Sequence, residues 1–464
     1  MKVDASLNWP YLANAVSDAD ARVPSSASLV GFKLFLLLNA VLFIRPAEII
    51  PALEALPIYE VVIIACMLFS IPVVLRQLTL ASFATQPGVV CVLMLLPAIL
   101  LSHLLHGRTY DARIGALVFV KIVLYYLLLL GLLNSTARLR TFLIVLVALI
   151  VPLAVLSVLQ YHEVIDIPAL AQCMQGQGDD EFSGERIILV RLQSLGIFSD
   201  PNDFSLILAS GLFICIHQFV EHRRIFLRLA WLIPIGILGY AFALTHSRGG
   251  FLALLAGLTV YTVSRRGWRR SLLPAVVVLP LLLLAMGGRQ TKIDLDDRDD
   301  TAQGRILLWR DSMELFRESP VFGIGYGQLA EVNELVAHNS FVHSYAELGL
   351  LGGTFFVGAF YCAFLGLHRI KVDEKHKIDP ALLCWRPCVL AMTVGYATGL
   401  FSLSRCYGVP TYLILGVAGA YGNLVGRDAP SAIERLNLRF LKRLCMVSVI
   451  CLVVIMAFIK LFAH

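Results

Sequence analysis

Apolar segments long enough to cross a membrane recur along nearly the whole chain. A bilayer core about 30 Å thick needs roughly 20 mainly apolar residues in a helix, and within it a helix satisfies its own backbone polar groups. The sequence therefore predicts an all-α polytopic membrane protein, a single integral membrane domain over residues 1–464 with about 12–13 transmembrane helices. The predicted spans are 28–44, 57–75, 88–105, 115–133, 141–160, 203–220, 226–245, 249–264, 271–287, 349–367, 383–402, 409–425 and 443–462.

Basic residues alternate with the spans and so predict the orientation. Connections rich in arginine and lysine stay on the cytoplasmic side, which places the N-terminus inside and makes the first apolar run a signal anchor. Residues 161–202 and 288–348 are then the two long extracytoplasmic loops. The basic clusters are Arg138/Arg140, Arg223/Arg224/Arg228, Arg265/Arg266/Arg269/Arg270, Arg369/Lys371/Lys375/Lys377 and Arg427/Arg435/Arg439/Lys442/Arg443.

Composition argues against several other classes of protein. The chain is 58% hydrophobic and 15% charged, and its net charge of +6 comes from the cytoplasmic connections, so no nucleic-acid partner is predicted. Most of the ten cysteines lie in apolar runs, and Cys384 and Cys388 lack the partners of a zinc site. Gly323-Ile324-Gly325-Tyr326-Gly327 does not follow a strand, as a dinucleotide loop would. Neither metal nor cofactor is predicted.

The second predicted extracytoplasmic loop contains an amphipathic segment. Ile306, Trp309, Met313 and Phe316 recur at helical spacing, which predicts an interfacial helix near 305–318 with Trp309 as its membrane anchor. The acidic residues at 294–300 are interpreted as a solvated linker, with a calcium site as the alternative.

Three arginines lie at the predicted outer boundary, where each requires a partner. They are Arg191 at the end of the first loop, Arg248 in a short turn and Arg305 at the start of the predicted interfacial helix. A guanidinium fork binds phosphate oxygens in pairs and stays charged, so the three together would suit an anionic diphosphate. For any one of them alone, pairing with lipid headgroups is the competing interpretation.

His338 is the candidate catalytic residue. It precedes an apolar helix and faces the same predicted compartment as the three arginines, so a neutral imidazole there could take a proton from an attacking hydroxyl. A histidine that only hydrogen-bonds at a helix start is the alternative, and His343 and Glu347 are weaker candidates.

These residues resemble those of the bacterial O-antigen ligases, within the wider superfamily of O-antigen ligases and polymerases. The ligase signature is histidine, a small amide or hydroxyl residue, nine residues, glycine, two residues and a small residue. His338, Asn339, Gly349 and Gly352 fit it without a gap. Further recurrent elements are similar in Arg191 to Asn202, Ser247-Arg248-Gly249, Arg305 with Trp309, and Pro320 to Gly325.

The resemblance implies transfer of O-antigen polysaccharide from undecaprenyl diphosphate to a sugar hydroxyl of lipid A-core oligosaccharide, at the periplasmic face of the bacterial inner membrane. We expect His338 to act as general base and Arg191, Arg248 and Arg305 to bind the donor diphosphate. Asn339, Asn202 and Trp309 are expected to support them. One direct displacement would invert the configuration at the anomeric carbon of the transferred sugar, and we expect it to need neither a metal nor a cofactor.

Two alternatives stay open. A polymerase or protein oligosaccharyltransferase of the same superfamily would use the same donor with another acceptor. A transporter of lipid-linked glycans is suggested by polar residues inside spans, such as Lys33 and Lys121, but transporters bind near the bilayer midplane and not on long outer loops.

Overall fold

The structure, a computed structural model, describes residues 25–170, 172–179, 186–268, 302–368, 377–432 and 434–463. Within these ranges, 11 helices are long and apolar enough to cross a membrane. They are Ser28–Ile49, Ile58–Gln77, Pro87–Leu104, Thr109–Leu132, Thr136–Tyr161, Pro201–Glu221, Ile225–Leu244, Ser340–His368, Pro380–Ser402, Val409–Asp428 and Leu438–Phe462. The predicted all-α polytopic membrane protein is therefore confirmed.

Each of these 11 helices corresponds to a predicted span. The two remaining predicted spans are 249–264 and 271–287. The span predicted at 249–264 is a helix, Arg248–Arg266, that falls outside the set because its composition is less apolar. The span predicted at 271–287 and the acidic residues 294–300 lie outside the described residues.

The helices in chain order are α1 (Ser25–Ile44), α2 (Pro46–Ile49), α3 (Ile58–Gln77), α4 (Leu80–Thr85), α5 (Pro87–Leu104), α6 (Thr109–Leu132), α7 (Thr136–Tyr161), α8 (Pro201–Glu221), α9 (Ile225–Ala230), α10 (Leu232–Leu244), α11 (Arg248–Arg266), α12 (Ala302–Glu318), α13 (Gln328–Asn333), α14 (Ser340–His368), α15 (Pro380–Gly399), α16 (Val409–Asp428) and α17 (Leu438–Phe462). The end of the bundle where 162–200 and 302–339 connect the helices is called the loop end below.

Small residues let α11 pack closely against α8 and α15. A Cβ added to Gly395 of α15 would lie 2.9 Å from the carbonyl oxygen of Ala253, and one added to Gly257 would overlap the ring of Phe213. Close backbone approach through small residues is a common way for helices to associate in membranes. The less apolar α11 is therefore held inside the bundle by its neighbours.

Helix α14 is broken at Gly349, and a loop segment fills the break. Gly349 has φ 64° and ψ −162°, a conformation that is essentially restricted to glycine. The amides of Leu350 and Leu351 donate to the carbonyls of Pro320 and Val321 at 2.8 and 3.1 Å. The inserted segment, residues 320–325, thus replaces the hydrogen bonds that the helix loses there.

A β-hairpin was not predicted in the first loop. Strand β1 (Cys173–Asp179) pairs antiparallel with β2 (Arg186–Arg191), and Cys173 lies opposite Arg191. The apolar, β-branched run in β2 is a signal for a strand, whereas the glycines and glutamines of β1 have low strand propensity. The sequence interpretation as a polar loop was therefore incomplete.

Candidate functional site

Arg191 ends β2 and joins three segments of the loop end. It is only 6% exposed. Its Nε donates to the carbonyl of Thr245 at 3.0 Å, Nη1 donates to Gln175 Oε1 at 3.1 Å, and Nη2 donates to Asn202 Oδ1 at 2.8 Å. The fork therefore links the hairpin to the starts of α8 and α11.

Asn202 also contacts the turn that carries Arg248. Ser247 Oγ donates to Asn202 Oδ1 at 2.8 Å and accepts the amide of Gly250 at 3.0 Å, which makes Ser247 the N-cap of α11. Arg248 is the first residue of that helix and is half-buried. Asn202 thus contacts Arg191 directly and contacts Ser247, the residue before Arg248. The structure therefore brings together the segments of three residues predicted from the sequence, Arg191, Asn202 and Arg248.

His338 and Asn339 form the start of α14. Asn339 is buried, and its Oδ1 accepts the amides of Phe341 and Val342 at 3.0 and 3.2 Å. These contacts satisfy two of the amides that a helix start leaves without partners. His338 has φ 48°, which is uncommon for a residue with a side chain and occurs often at functional sites.

Arg405 connects the start of α14 to the start of α8. Its Nε donates to Asp203 Oδ2 at 2.6 Å and its Nη2 also contacts that oxygen. Its amide donates to Ser340 Oγ at 2.8 Å. Since Asp203 follows Asn202 and Ser340 follows Asn339, the segments that carry Arg191, Arg248 and His338 belong to one hydrogen-bonded network.

Arg405 is the functional candidate that the sequence analysis missed. It lies in the short turn between α15 and α16, and the only signal for it was an arginine at the predicted outer boundary. Burial alone would lower the pKa of Arg405, but the hydrogen bonds and charge of Asp203 raise it above its ordinary value. The guanidinium is therefore cationic at any physiological pH.

Arg305 and Trp309 lie on α12, which packs against α14 and α17. The Trp309 ring is 5.7 Å from the ring of Phe458, and Gln303 Nε2 donates to the carbonyl of Phe462 at 3.1 Å. A helix is thus present where the sequence predicts an amphipathic one, and Trp309 packs on the last span. The position of α12 at the membrane surface, and the convergence of Arg305 with the other arginines, stay predictions.

The two weaker candidates, His343 and Glu347, form a buried pair inside α14. His343 Nε2 lies 3.1 Å from Glu347 Oε2, and Glu347 Oε1 accepts the amide of Leu329 at 3.1 Å. Because the carbonyl of Glu347 also accepts the amide of Gly325, the pair holds the loop between α12 and α14 against the helix break.

The described ranges contain no group of three or more histidine, cysteine, aspartate or glutamate side chains that could hold a metal ion. Positive charge in this part of the site comes from guanidinium groups such as Arg191, Arg248 and Arg405.

Residues 233–357 match the family model described as O-antigen ligase. The match confirms the resemblance found in the sequence and is what a member of the O-antigen ligase superfamily would show. The matched range includes Arg248, Arg305 and His338, whereas Arg191 and Arg405 lie outside it. No curated protein matches the chain.

Proposed function

We propose that this protein transfers O-antigen polysaccharide from undecaprenyl diphosphate to a sugar hydroxyl of lipid A-core oligosaccharide, at the periplasmic face of the inner membrane. The observation that carries the proposal is the network at the loop end, which joins the segments of Arg191, Arg248 and His338 through Asn202, Asp203 and Arg405. The family match, which indicates a membrane glycosyltransferase of this superfamily, supports it.

In the proposed reaction, the acceptor hydroxyl oxygen attacks the anomeric carbon while the bond from that carbon to the diphosphate oxygen breaks. His338 takes the hydroxyl proton. The diphosphate leaves with one more negative charge, which Arg248 and Arg305 stabilise with their forks. A single displacement inverts the anomeric configuration, and the step needs neither nucleotide nor metal.

Arg191 has a modified role in this proposal. Its fork already donates to Thr245, Gln175 and Asn202, so it holds Asn202 and Ser247 in place and adds its positive charge from behind the diphosphate. A charge in a low-dielectric region acts over a longer distance than one in water.

The test uses purified protein in proteoliposomes with a lipid-linked glycan and rough lipopolysaccharide. We expect the lipopolysaccharide to gain mass. His338→Ala should lower the rate by about 10²–10⁴-fold, the usual contribution of a general base, and Arg248→Ala by about 10²–10³-fold, as for loss of one preorganised stabiliser. His222→Ala, in the connection after α8 at the opposite end of the bundle, is the matched control and should leave the rate unchanged.

The same assay separates the alternatives. If only the lipid-linked glycan gains mass, the protein is a polymerase. If glycan crosses the membrane and no glycosidic bond forms, it is a transporter. A glycan covalently trapped on a protein side chain would exclude the single displacement.

A further inference from the structure

We infer that Arg405 is a positioning residue, which sets where His338 stands relative to the donor by clamping the start of α14 to the start of α8. The inference rests on the proposed function. Nothing in the sequence motifs includes Arg405, and it lies outside the residues matched by the family model.

The side chain of Arg405 pairs with the buried carboxylate of Asp203. Asp203 is 8% exposed, and a buried carboxylate is stable only with a charged or hydrogen-bonded partner. Arg405 supplies that partner through both Nε and Nη2. Because Asp203 lies in the first turn of α8, directly after Asn202, the pair fixes the turn between α15 and α16 to the segment that Arg191 also holds.

The backbone of Arg405 contacts the first residue of α14. Its amide donates to Ser340 Oγ, and Ser340 Oγ donates to the carbonyl of Leu403 at 2.5 Å. Thr411 Oγ1 donates to the carbonyl of Arg405 at 2.7 Å, which ties the turn to the start of α16. The hydroxyl of Ser340 is thus hydrogen-bonded on both sides to the turn between α15 and α16. A movement of that turn would therefore also move Ser340, the first residue of α14.

His338 lies next to this clamp along the chain. Only Asn339 separates His338 from Ser340 along the chain, and His338 holds a left-handed φ of 48° that its neighbours must maintain. The clamp and the Asn339 cap together impose that conformation. A shift of about 1 Å at a catalytic group is enough to cost on the order of 10²-fold in rate.

The main variant is Arg405→Lys, which keeps the charge and loses the two-nitrogen contact with Asp203. We expect kcat to fall by about 10–10²-fold while KM for the lipid diphosphate donor stays within about twofold, because His338 is displaced and the donor site is intact. Arg265→Lys is the matched control. Arg265 pairs with Glu221 at the far ends of α11 and α8, and we expect no change in either constant.

Ser340→Ala is the second variant, for use if Arg405→Lys is poorly folded. It removes the hydroxyl contact with the turn and leaves the Asp203–Arg405 pair in place, and it should also lower kcat with an unchanged donor KM. A raised donor KM with unchanged kcat in Arg405→Lys would overturn the inference and make Arg405 a donor ligand. Wild-type constants in both variants would overturn it as well.

Measuring His338→Ala beside these variants keeps the two proposals distinguishable. If His338→Ala transfers at the wild-type rate, the proposed function of the site fails and the positioning role fails with it. If His338→Ala is inactive while Arg405→Lys and Ser340→Ala behave like the wild type, only the positioning role is overturned.

Discussion

Replacing Gly349 with alanine should undo the packing of the inserted segment 320–325 in the break of α14. The backbone conformation of Gly349 costs a residue with a side chain about 1–3 kcal/mol. The new Cβ would lie 2.5 Å from the amide nitrogen of Phe322 and closer still to the carbonyl of Val321. Relief of that overlap would break the hydrogen bonds donated by Leu350 and Leu351, each contributing about 1 kcal/mol.

Together these terms amount to about 3–5 kcal/mol. A loss of that size shifts the equilibrium between the packed and the detached inserted segment more than about a hundredfold toward the detached form. We expect Gly349→Ala to unfold at a lower temperature in a given detergent and to lose most transfer activity, because the break lies nine residues after Ser340 in the helix that begins next to His338. Thermal unfolding followed by intrinsic fluorescence, with the proteoliposome assay, measures both effects.

Two glycine variants serve as controls. Gly236→Ala in α10 adds a Cβ with no atom within 4 Å and should be neutral or slightly stabilising. Gly107→Ala also meets open space but has φ 72°, so it reports the cost of backbone strain without overlap. If Gly349→Ala matches Gly236→Ala in both unfolding temperature and activity, the inserted segment does not depend on the break as described.

The remaining predictions concern the charges of the site. Arg191→Lys should lower transfer markedly, since an ammonium cannot make the three directed contacts with Thr245, Gln175 and Asn202; near-normal product would show that these contacts are dispensable. Transfer should persist in excess chelator, because guanidinium groups neutralise the diphosphate in the proposed reaction. Activity that disappears with chelator and returns with magnesium or manganese would contradict this, and the acidic residues 294–300 would then be the first to mutate.

Hydropathy predicted most of the fold because the thickness of the bilayer makes span length a local property of the chain. For one span the helix extends well before the predicted start. The span is predicted at 349–367 and its helix begins at Ser340, since His343 and Glu347 lower the local hydropathy while pairing with each other inside the bundle. A hydropathy average counts each polar residue separately, so it cannot detect that two polar side chains are paired with each other inside the bundle.

The site was predicted in part, and the reason differs from residue to residue. The cap at Asn339 follows from local backbone chemistry, but the sequence analysis named Asn339 only as a supporting residue and did not predict the cap. The contact of the Trp309 ring with Phe458 was not predicted, and the role of Trp309 as a membrane anchor stays a prediction. The hairpin that ends in Arg191 was missed because β1 has little strand propensity of its own and depends on pairing with β2.

By itself, the sequence determined that the chain spans a membrane many times and which family it resembles, and it supplied the histidine and arginines proposed for the chemistry, because length, apolarity and motif spacing are properties of short segments. Only the tertiary structure decided that Arg405 joins Asp203, 202 residues earlier, to Ser340. The physical reason is that a buried carboxylate selects its partner by distance and geometry after the helices have packed, and neither is encoded in the spacing along the chain.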